Sequence, residues 1–160
     1  MVFDRATLDK LYQYCMALCN DGDEAYDLLY QSIEKYLHQT RSDIANPVAY
    51  VRRIARNAHF DKWRRQQVVQ FESLPEEFSG STEKALEATV VDEQMLDRVW
   101  EELTPPERET LYFWALEEMS ATEIGLHLEQ PRASVLSRLR RIRQRINRLF
   151  PESGSGGQHE

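Results

Sequence analysis

The chain has 160 residues, a length that suits one compact domain or two small ones. Apolar residues make up 41% of it, and no stretch approaches the roughly 18 uninterrupted apolar residues that a membrane-spanning helix needs, so we expect no membrane insertion. The opening MVFDRATLDK carries acids and lacks an apolar core, which is not typical of a secretory signal, and we therefore expect a cytoplasmic protein.

The formal net charge of -7 is unevenly distributed along the chain. Residues 41–66 hold seven arginines or lysines against two acids, and residues 132–148 hold seven arginines and no acid. The intervening residues 67–131 hold 16 acids against three basic residues. Solvated surfaces normally mix both signs, so two basic blocks in an acidic chain indicate two separate contacts with anionic partners.

Apolar spacing is helical almost throughout, which predicts an all-α fold. Two amphipathic helices are expected over 5–19 and 24–39, and a third from Asn46 and Pro47, a typical cap and first-turn pair, to about Gln67. Cys15 and Cys19 lie on one side of the first helix. No further ligand is near them in sequence, so we expect reduced core cysteines rather than a metal pair or redox switch.

The third predicted helix contains the first basic block, YVRRIARNAHFDKWRRQ. On a helical wheel its apolar residues face the core. The opposite side carries Arg52, Arg53, Arg56, Phe60, Trp63 and Arg64. Guanidinium groups hold a nucleic-acid backbone and aromatic rings accept unstacked bases, so this face favours contact with single-stranded or opened DNA. The alternative for either ring is packing against a neighbouring helix.

Residues 68–92 are acidic, contain Pro, Gly, Ser and Thr, and lack a sustained apolar stripe, which predicts a linker. We therefore expect two small helical domains, residues 1–67 and 93–150, followed by a disordered tail over 151–160. In the second domain, TPPE at 104–107 and SATE at 120–123 have the form of capping boxes, in which side chains satisfy free amides of the first helical turn.

A helix-turn-helix is predicted from SATEIGLHLEQPRASVLSRLRRIRQRI, where Gly125 leaves room for two helices to approach closely. In the second helix an apolar stripe predicts a buried face formed by Val135, Leu139, Ile142, Ile146 and Leu149. The opposite side is expected to carry Ser134, Ser137, Arg138, Arg141, Arg145 and Arg148, widened by Arg140 and Gln144. Such a helix fits the DNA major groove, with its first residues at base edges and later arginines at phosphates.

Three segments, in this order, resemble the sigma factors of bacterial RNA polymerase, specifically the extracytoplasmic-function (ECF) group. NPVAYVRRIARNAHFDKWRRQ is similar to the end of that family's region 2, with its ARN and a following Asp-x-x-Arg. GDEAYDLLYQSIEKYL resembles the earlier part of region 2, and LTPPERETLYFWALEEMSATEIGLHLEQPRASVLSRLRRIRQRI resembles region 4. The resemblance covers nearly the whole chain.

The resemblance implies a transcription initiation factor that binds core RNA polymerase and directs it to promoters. Contacts with the −10 element are implied for Asn57, His59, Asp61, Arg64 and Arg65, together with Arg52, Arg53, Arg56, Phe60 and Trp63. Contacts with the −35 element are implied for Arg132, Ser134, Ser137, Arg138, Arg140, Arg141 and Arg145. The polymerase clamp helices would meet Asp27, Leu28 and Gln31.

The family further implies docking on the polymerase flap, an acidic linker threaded through a positively lined channel of the enzyme, and an anti-sigma factor as a partner. Two departures from the family pattern concern the clamp and the turn. Tyr30 stands where a glutamine is usual, and Gln31 follows it. Glu129 stands where the turn often has glycine.

We expect no enzymatic activity, cofactor or metal. The four histidines have no partner spacing for a metal or a catalytic triad, and no Gly-rich phosphate loop is present. Two alternatives to a sigma factor remain. An autonomous helix-turn-helix regulator explains residues 104–148 but not the first basic block, and a protein-interaction module would direct both basic faces at acidic partners.

Overall fold

The computed structural model of the chain describes residues 3–39, 43–67 and 93–151. Within these ranges there are helices and no strand, which confirms the all-α prediction. None of the helices there combines the length and the apolar character needed to cross a bilayer. The chain divides into two compact units, residues 1–70 and 71–160. The linker predicted over 68–92 and, apart from Pro151, the tail predicted over 151–160 lie outside the described residues and stay predictions.

The first unit consists of three helices, α1 (Arg5–Cys19), α2 (Gly22–His38) and α3 (Pro47–Gln66). Each packs against the other two. Phe3, Leu11 and Val51 form a buried cluster, to which the partly buried Leu29 and Ile33 of α2 contribute. One apolar stripe from each helix therefore closes the core, and the remaining face of each helix is left to solvent.

Side-chain caps fix where these helices begin. The predicted start at Asn46 is confirmed, since its Oδ1 accepts a hydrogen bond from the Ala49 amide at 3.1 Å and Pro47 occupies the first turn. Helix α2 begins two residues earlier than predicted. Asp21 is its cap, and the Asp21 Oδ2 atom accepts from the Glu24 amide at 3.0 Å, which draws Gly22 into the helix.

The second unit contains α4 (Glu93–Glu102), α5 (Pro105–Leu111), a π-helical turn (Tyr112–Leu116), α6 (Ala121–Leu128) and α7 (Arg132–Leu149). Both predicted capping boxes are confirmed, at the starts of α5 and α6. The π-helical turn was not predicted. There the Glu117 amide bonds the Tyr112 carbonyl at 3.3 Å, five residues back, because the chain leaves α5 by widening its last turn.

Candidate nucleic-acid interface

The turn between α6 and α7 is closed by backbone contacts around Gly125. The Gln130 amide donates to the Gly125 carbonyl at 2.8 Å, and Glu129 adopts the left-handed conformation with φ 59°. A Cβ atom added to Gly125 would lie 2.8 Å from the Gln130 carbonyl oxygen. The prediction that Gly125 permits a close approach is therefore confirmed, and this turn sets the angle at which α7 leaves α6.

Helix α7 buries the face that its periodicity predicts. Val135, Leu139 and Ile142 are fully buried, and Ile146 is nearly so. Leu136 is also buried, which the stripe did not indicate, whereas Leu149 at the end of the helix is only half-buried. The core of the second unit therefore holds α7 in a fixed rotation about its axis, and that rotation decides which arginines face outward.

Arg138 lies beside this buried face and points inward, so its predicted place on the outward face is wrong. Its Nη1 donates to the Thr110 Oγ1 at 3.1 Å and to the Gln130 Oε1 at 3.0 Å. Thr110 is fully buried on α5, and Gln130 belongs to the turn before α7. One guanidinium therefore ties α5 to the turn and to α7, and Arg138 is committed to the fold.

Glu107 draws two more arginines of α7 toward the protein. Its side chain is only 5% exposed and accepts from the Thr104 amide at 3.0 Å within the capping box. The same carboxylate lies 3.4 Å from the Arg145 Nη1 and 3.9 Å from the Arg141 Nε. Arg145 also donates to the backbone carbonyl of Glu102. Arg141 and Arg145 are thus partly neutralised by an internal acid while each side chain keeps 27% of its surface exposed, so their predicted outward placement is only partly right.

A smaller set of residues, polar except for one alanine, remains on the outward face of α7. Spaced by three or four residues, it follows one stripe along the helix. Its exposed members are Ala133, Gln144 and Arg148, and its half-buried members are Ser137 and Arg140. Arg132 is exposed and Ser134 half-buried at the start of the helix. This stripe has polar groups near the N-terminus and cations further along.

Helix α3 has its own outward stripe, formed by Arg53, Asn57, Asp61 and Arg64, all exposed. The Arg64 Nη1 lies 3.1 Å from the Asp61 Oδ1, and both side chains are more than half exposed. An ion pair so open to water contributes little to stability and exchanges readily for other partners. Lys62 and Arg65 are exposed nearby, so this end of the helix presents several accessible cations.

Phe60 belongs to the protein interior, and the prediction that it shares the arginine face is wrong. Its ring is 3% exposed, and the Arg56 guanidinium carbon lies 4.6 Å from the ring centroid. Arg52 is similarly placed 5.2 Å from the centroid of the buried Tyr14 ring. Both arginines are half-buried because their guanidinium groups cover aromatic rings. Trp63 is half-buried, so the two alternatives for that ring stay open.

His59 faces α1 rather than the outward stripe. Its Nδ1 lies 3.7 Å from the Cys19 Sγ, and both residues line a cavity that Asp27 and Gln31 also reach. The residues predicted for the clamp and one residue predicted for DNA therefore meet at the same end of the first unit. Within the described ranges, no group of three histidine, cysteine or acidic side chains is arranged to hold a metal ion.

The exposed side of α2 carries an apolar ridge that was not predicted from the sequence. Tyr26, Tyr30 and Leu37 are each more than 60% exposed, and the two tyrosine rings stand edge to face with centroids 6.3 Å apart. This ridge could have been predicted from the sequence, because residues spaced by four and seven positions lie on one side of a helix. Asp27 and Gln31 are exposed beside the ridge, whereas Leu28 is buried, so of the three residues predicted to meet the clamp only Asp27 and Gln31 present exposed side chains.

Comparisons with known proteins give one informative result. No family model matches the chain, and no curated protein matches it. Among solved structures, the chain is similar to the sigma factor RpoE from Bartonella quintana, determined in complex with the anti-sigma factor NepR. The TM-score is 0.58 at 18% sequence identity, and the match covers 91% of this chain and 92% of that one. This likeness shows a shared fold: the chain has the fold of a sigma factor.

Proposed function

We propose that the chain is an ECF-type sigma factor, which binds core RNA polymerase and directs transcription initiation in the cytoplasm. The observation that carries the proposal is the outward stripe of α7, a helix-turn-helix face with polar groups at its start and arginines beyond, in a chain with a sigma-factor fold. A helix of this kind enters the major groove with its first residues against base edges.

The second unit would read the −35 element with part of the predicted set. Arg132, Ser134, Ser137 and Arg140 lie on or next to the outward stripe of α7 and are the proposed base and backbone contacts. Gln144 and Arg148 continue the stripe and would meet phosphates. Arg141 and Arg145 would have to leave Glu107 to reach DNA, and Arg138 stays with the fold.

The first unit would engage the −10 element through the outward stripe of α3. Arg53, Asn57 and Arg64 are exposed and would contact the strand, and Asp61 holds Arg64 until DNA replaces it. Arg65 is exposed at the end of the helix, whereas Arg52, Arg56, His59 and Trp63 are half-buried and would contribute at the edge of the site.

Core polymerase would dock on α2. The ridge of Tyr26, Tyr30 and Leu37, with Asp27 and Gln31 beside it, offers apolar area and adjacent polar groups, which is the composition of a protein interface. The polymerase clamp is the proposed partner of this surface, and the flap that of the second unit. An anti-sigma factor is a further proposed partner, since the similar protein RpoE was solved with one.

Run-off transcription tests this function. The full chain is combined with purified core polymerase and fragmented genomic DNA, and discrete transcripts that need both proteins are expected. Absence of any specific transcript, although the chain binds core polymerase, would count against promoter direction. Specific duplex binding by the chain alone in a gel shift, without polymerase, would instead favour the autonomous regulator.

The polymerase contact is tested separately with Tyr26→Ser combined with Tyr30→Ser. Both rings are exposed, so the double variant is expected to fold with unchanged stability and to lose most of its binding to core polymerase in a pull-down. Tyr50→Ser is a matched tyrosine control elsewhere in the same unit, whose ring packs against Tyr36 at 5.9 Å. If the double variant binds polymerase as well as the wild type, the ridge is not the docking surface.

A further inference from the structure

The two cysteines of α1 stand in opposite environments, although they are one helical turn apart. Cys15 is 1% exposed, and burial raises the pKa of its thiol to about 12, with the nearby Cys19 adding to the rise. A thiol held protonated and out of water is chemically inert. Cys19 is half-buried and lines a cavity of about 210 Å³. Only Cys19 is therefore placed where a small reagent could reach it.

Charged and titratable groups from both neighbouring helices line the cavity that Cys19 borders. His59 of α3 contacts the thiol, with its Nδ1 3.7 Å from the Cys19 sulfur. Lys62, one turn further along α3, lines the same cavity, and Glu24 and Asp27 of α2 line it from the other side. A cysteine in contact with a histidine, at a cavity open to small molecules, is the type of setting in which thiolates form and react.

We propose that Cys19 is a site of reversible oxidation by peroxides, with His59 as the group that accepts the thiol proton. The thiolate sulfur attacks one oxygen of hydrogen peroxide, so an S–O bond forms and the O–O bond breaks. The departing hydroxide takes the proton from His59 and leaves as water. Sulfur is oxidised by two electrons to a sulfenic acid, and the peroxide is reduced.

Reversal requires a thiol from outside the chain. The inert Cys15 is the only other cysteine, so an external low-molecular-weight thiol would condense with the sulfenic acid. That step forms a mixed disulfide and releases water. A second external thiol then attacks the disulfide, which restores the Cys19 thiol and releases the external disulfide.

Oxidation at Cys19 would act on α3 through His59. The added oxygen enlarges the group that His59 contacts, and we expect it to change the 3.7 Å contact between the Cys19 sulfur and the His59 ring. His59 follows Asn57 of the outward stripe by two residues, so a shift of this part of α3 lowers affinity for the −10 element. This regulatory effect rests on the proposed function, whereas the chemistry at Cys19 does not.

The chemistry is tested on the full, unmodified chain. The native protein is treated with hydrogen peroxide in the presence of dimedone, which traps sulfenic acids, and both cysteines are quantified by peptide mass spectrometry. The adduct is expected on Cys19 and not on Cys15, with both cysteines reactive to an alkylating reagent in denaturant. Equal or preferential labelling of Cys15 in the native protein would overturn the proposal.

The role of His59 is tested with His59→Gln, for which alkylation of Cys19 at pH 7 is expected to slow about tenfold. His38→Gln is the matched control, because His38 is exposed on α2 and its Nδ1 contacts the Glu34 carbonyl at 2.9 Å, away from the cavity. That variant should react like the wild type. An unchanged rate in His59→Gln would remove the histidine from the mechanism.

The regulatory effect is tested in the reconstituted holoenzyme. Peroxide treatment of the chain before assembly is expected to reduce run-off transcription several-fold, and Cys19→Ser should be insensitive to the same treatment. A wild-type chain that is fully oxidised at Cys19 and transcribes normally would refute the regulation. Failure of the reduced wild-type chain to transcribe would instead refute the proposed function.

Discussion

Helices α3 and α7 are both rich in arginine, but the structure uses the arginines of each helix differently. In α3, Arg52 and Arg56 cover aromatic rings and stay half-buried, and Arg64 is held by the exposed Asp61 on the same helix. In α7, an acid from α5 and a hydroxyl from α5 draw three arginines inward. Counting cations along a helix therefore overstates its binding face. Arginines that pack or pair inside a unit belong to its structure, and only the remaining arginines are free of such contacts and open to the proposed DNA partner.

The substitution with the largest expected effect is Phe60→Ala, which tests whether this ring belongs to the interior of the first unit. We expect a loss of about 4 kcal/mol in the stability of the first unit, because a buried ring is replaced by a cavity and Arg56 loses its stacking partner. Urea unfolding is followed by Trp63 fluorescence in a background with Trp100→Phe and Trp114→Phe. Trp63→Ala, whose unfolding is followed by circular dichroism, is compared with Phe60→Ala because Trp63 is only half-buried on the same helix. A decrease in stability of less than about 1 kcal/mol for Phe60→Ala would indicate that the ring lies on the surface.

Glu107→Ala is expected to cost the second unit about 3 kcal/mol. It removes an acceptor of the α5 capping box and leaves the guanidinium groups of Arg141 and Arg145 without their carboxylate. Unfolding is followed by the fluorescence of Trp100 and Trp114 in a Trp63→Phe background. Glu107→Gln keeps an acceptor for the Thr104 amide and should lose about half as much. A loss under about 0.5 kcal/mol would mean that these ion pairs behave as surface pairs.

Arg140→Ala sharpens the comparison within α7. We expect holoenzyme binding to promoter DNA to weaken by about 2 kcal/mol, since Arg140 is proposed to contact the −35 element, while stability stays unchanged. Arg138→Ala is the matched variant with the opposite pattern. It should destabilise the second unit by about 1–2 kcal/mol by leaving the buried Thr110 hydroxyl without its partner. Equal effects of the two substitutions on DNA affinity would contradict the division into inward and outward arginines.

The smallest expected effect is a gain in stability from Glu129→Gly. Glu129 has φ 59° at the end of α6, a conformation that costs residues other than glycine roughly 1–2 kcal/mol. Part of the gain from relieving this strain is offset, because glycine has greater freedom in the unfolded chain. We therefore expect a net gain of about 1 kcal/mol in the free energy of unfolding, measured in urea. Glu118→Gly, at φ 56° in the same unit, should behave alike. Destabilisation by both substitutions would show that the glutamate side chains contribute more than the strain removes.

Several features of this protein were decided by local sequence, and these were predicted well. The caps at Asn46, Thr104 and Ser120, the need for a small residue at Gly125 and most of the buried stripe of α7 were predicted correctly. Each depends on interactions within one or two helical turns, or on a periodicity that a single helix imposes on its own residues. The order of the resembling segments also indicated the sigma-factor fold, to which the structural likeness corresponds.

Only the tertiary structure decided which polar and aromatic side chains face inward. Phe60, Leu28 and Arg138 occupy helical positions that a wheel leaves ambiguous. The direction in which each side chain points depends on neighbours distant in sequence, such as Thr110, 28 residues from Arg138. The meeting of Cys19 with His59, 40 residues apart, arises in the same way. A sequence sets the period of each helix, but the rotation of the helix about its axis is fixed by the surfaces packed against it. In this protein that rotation separates the arginines that pair inside a unit from those that face outward, which are the ones proposed to contact DNA.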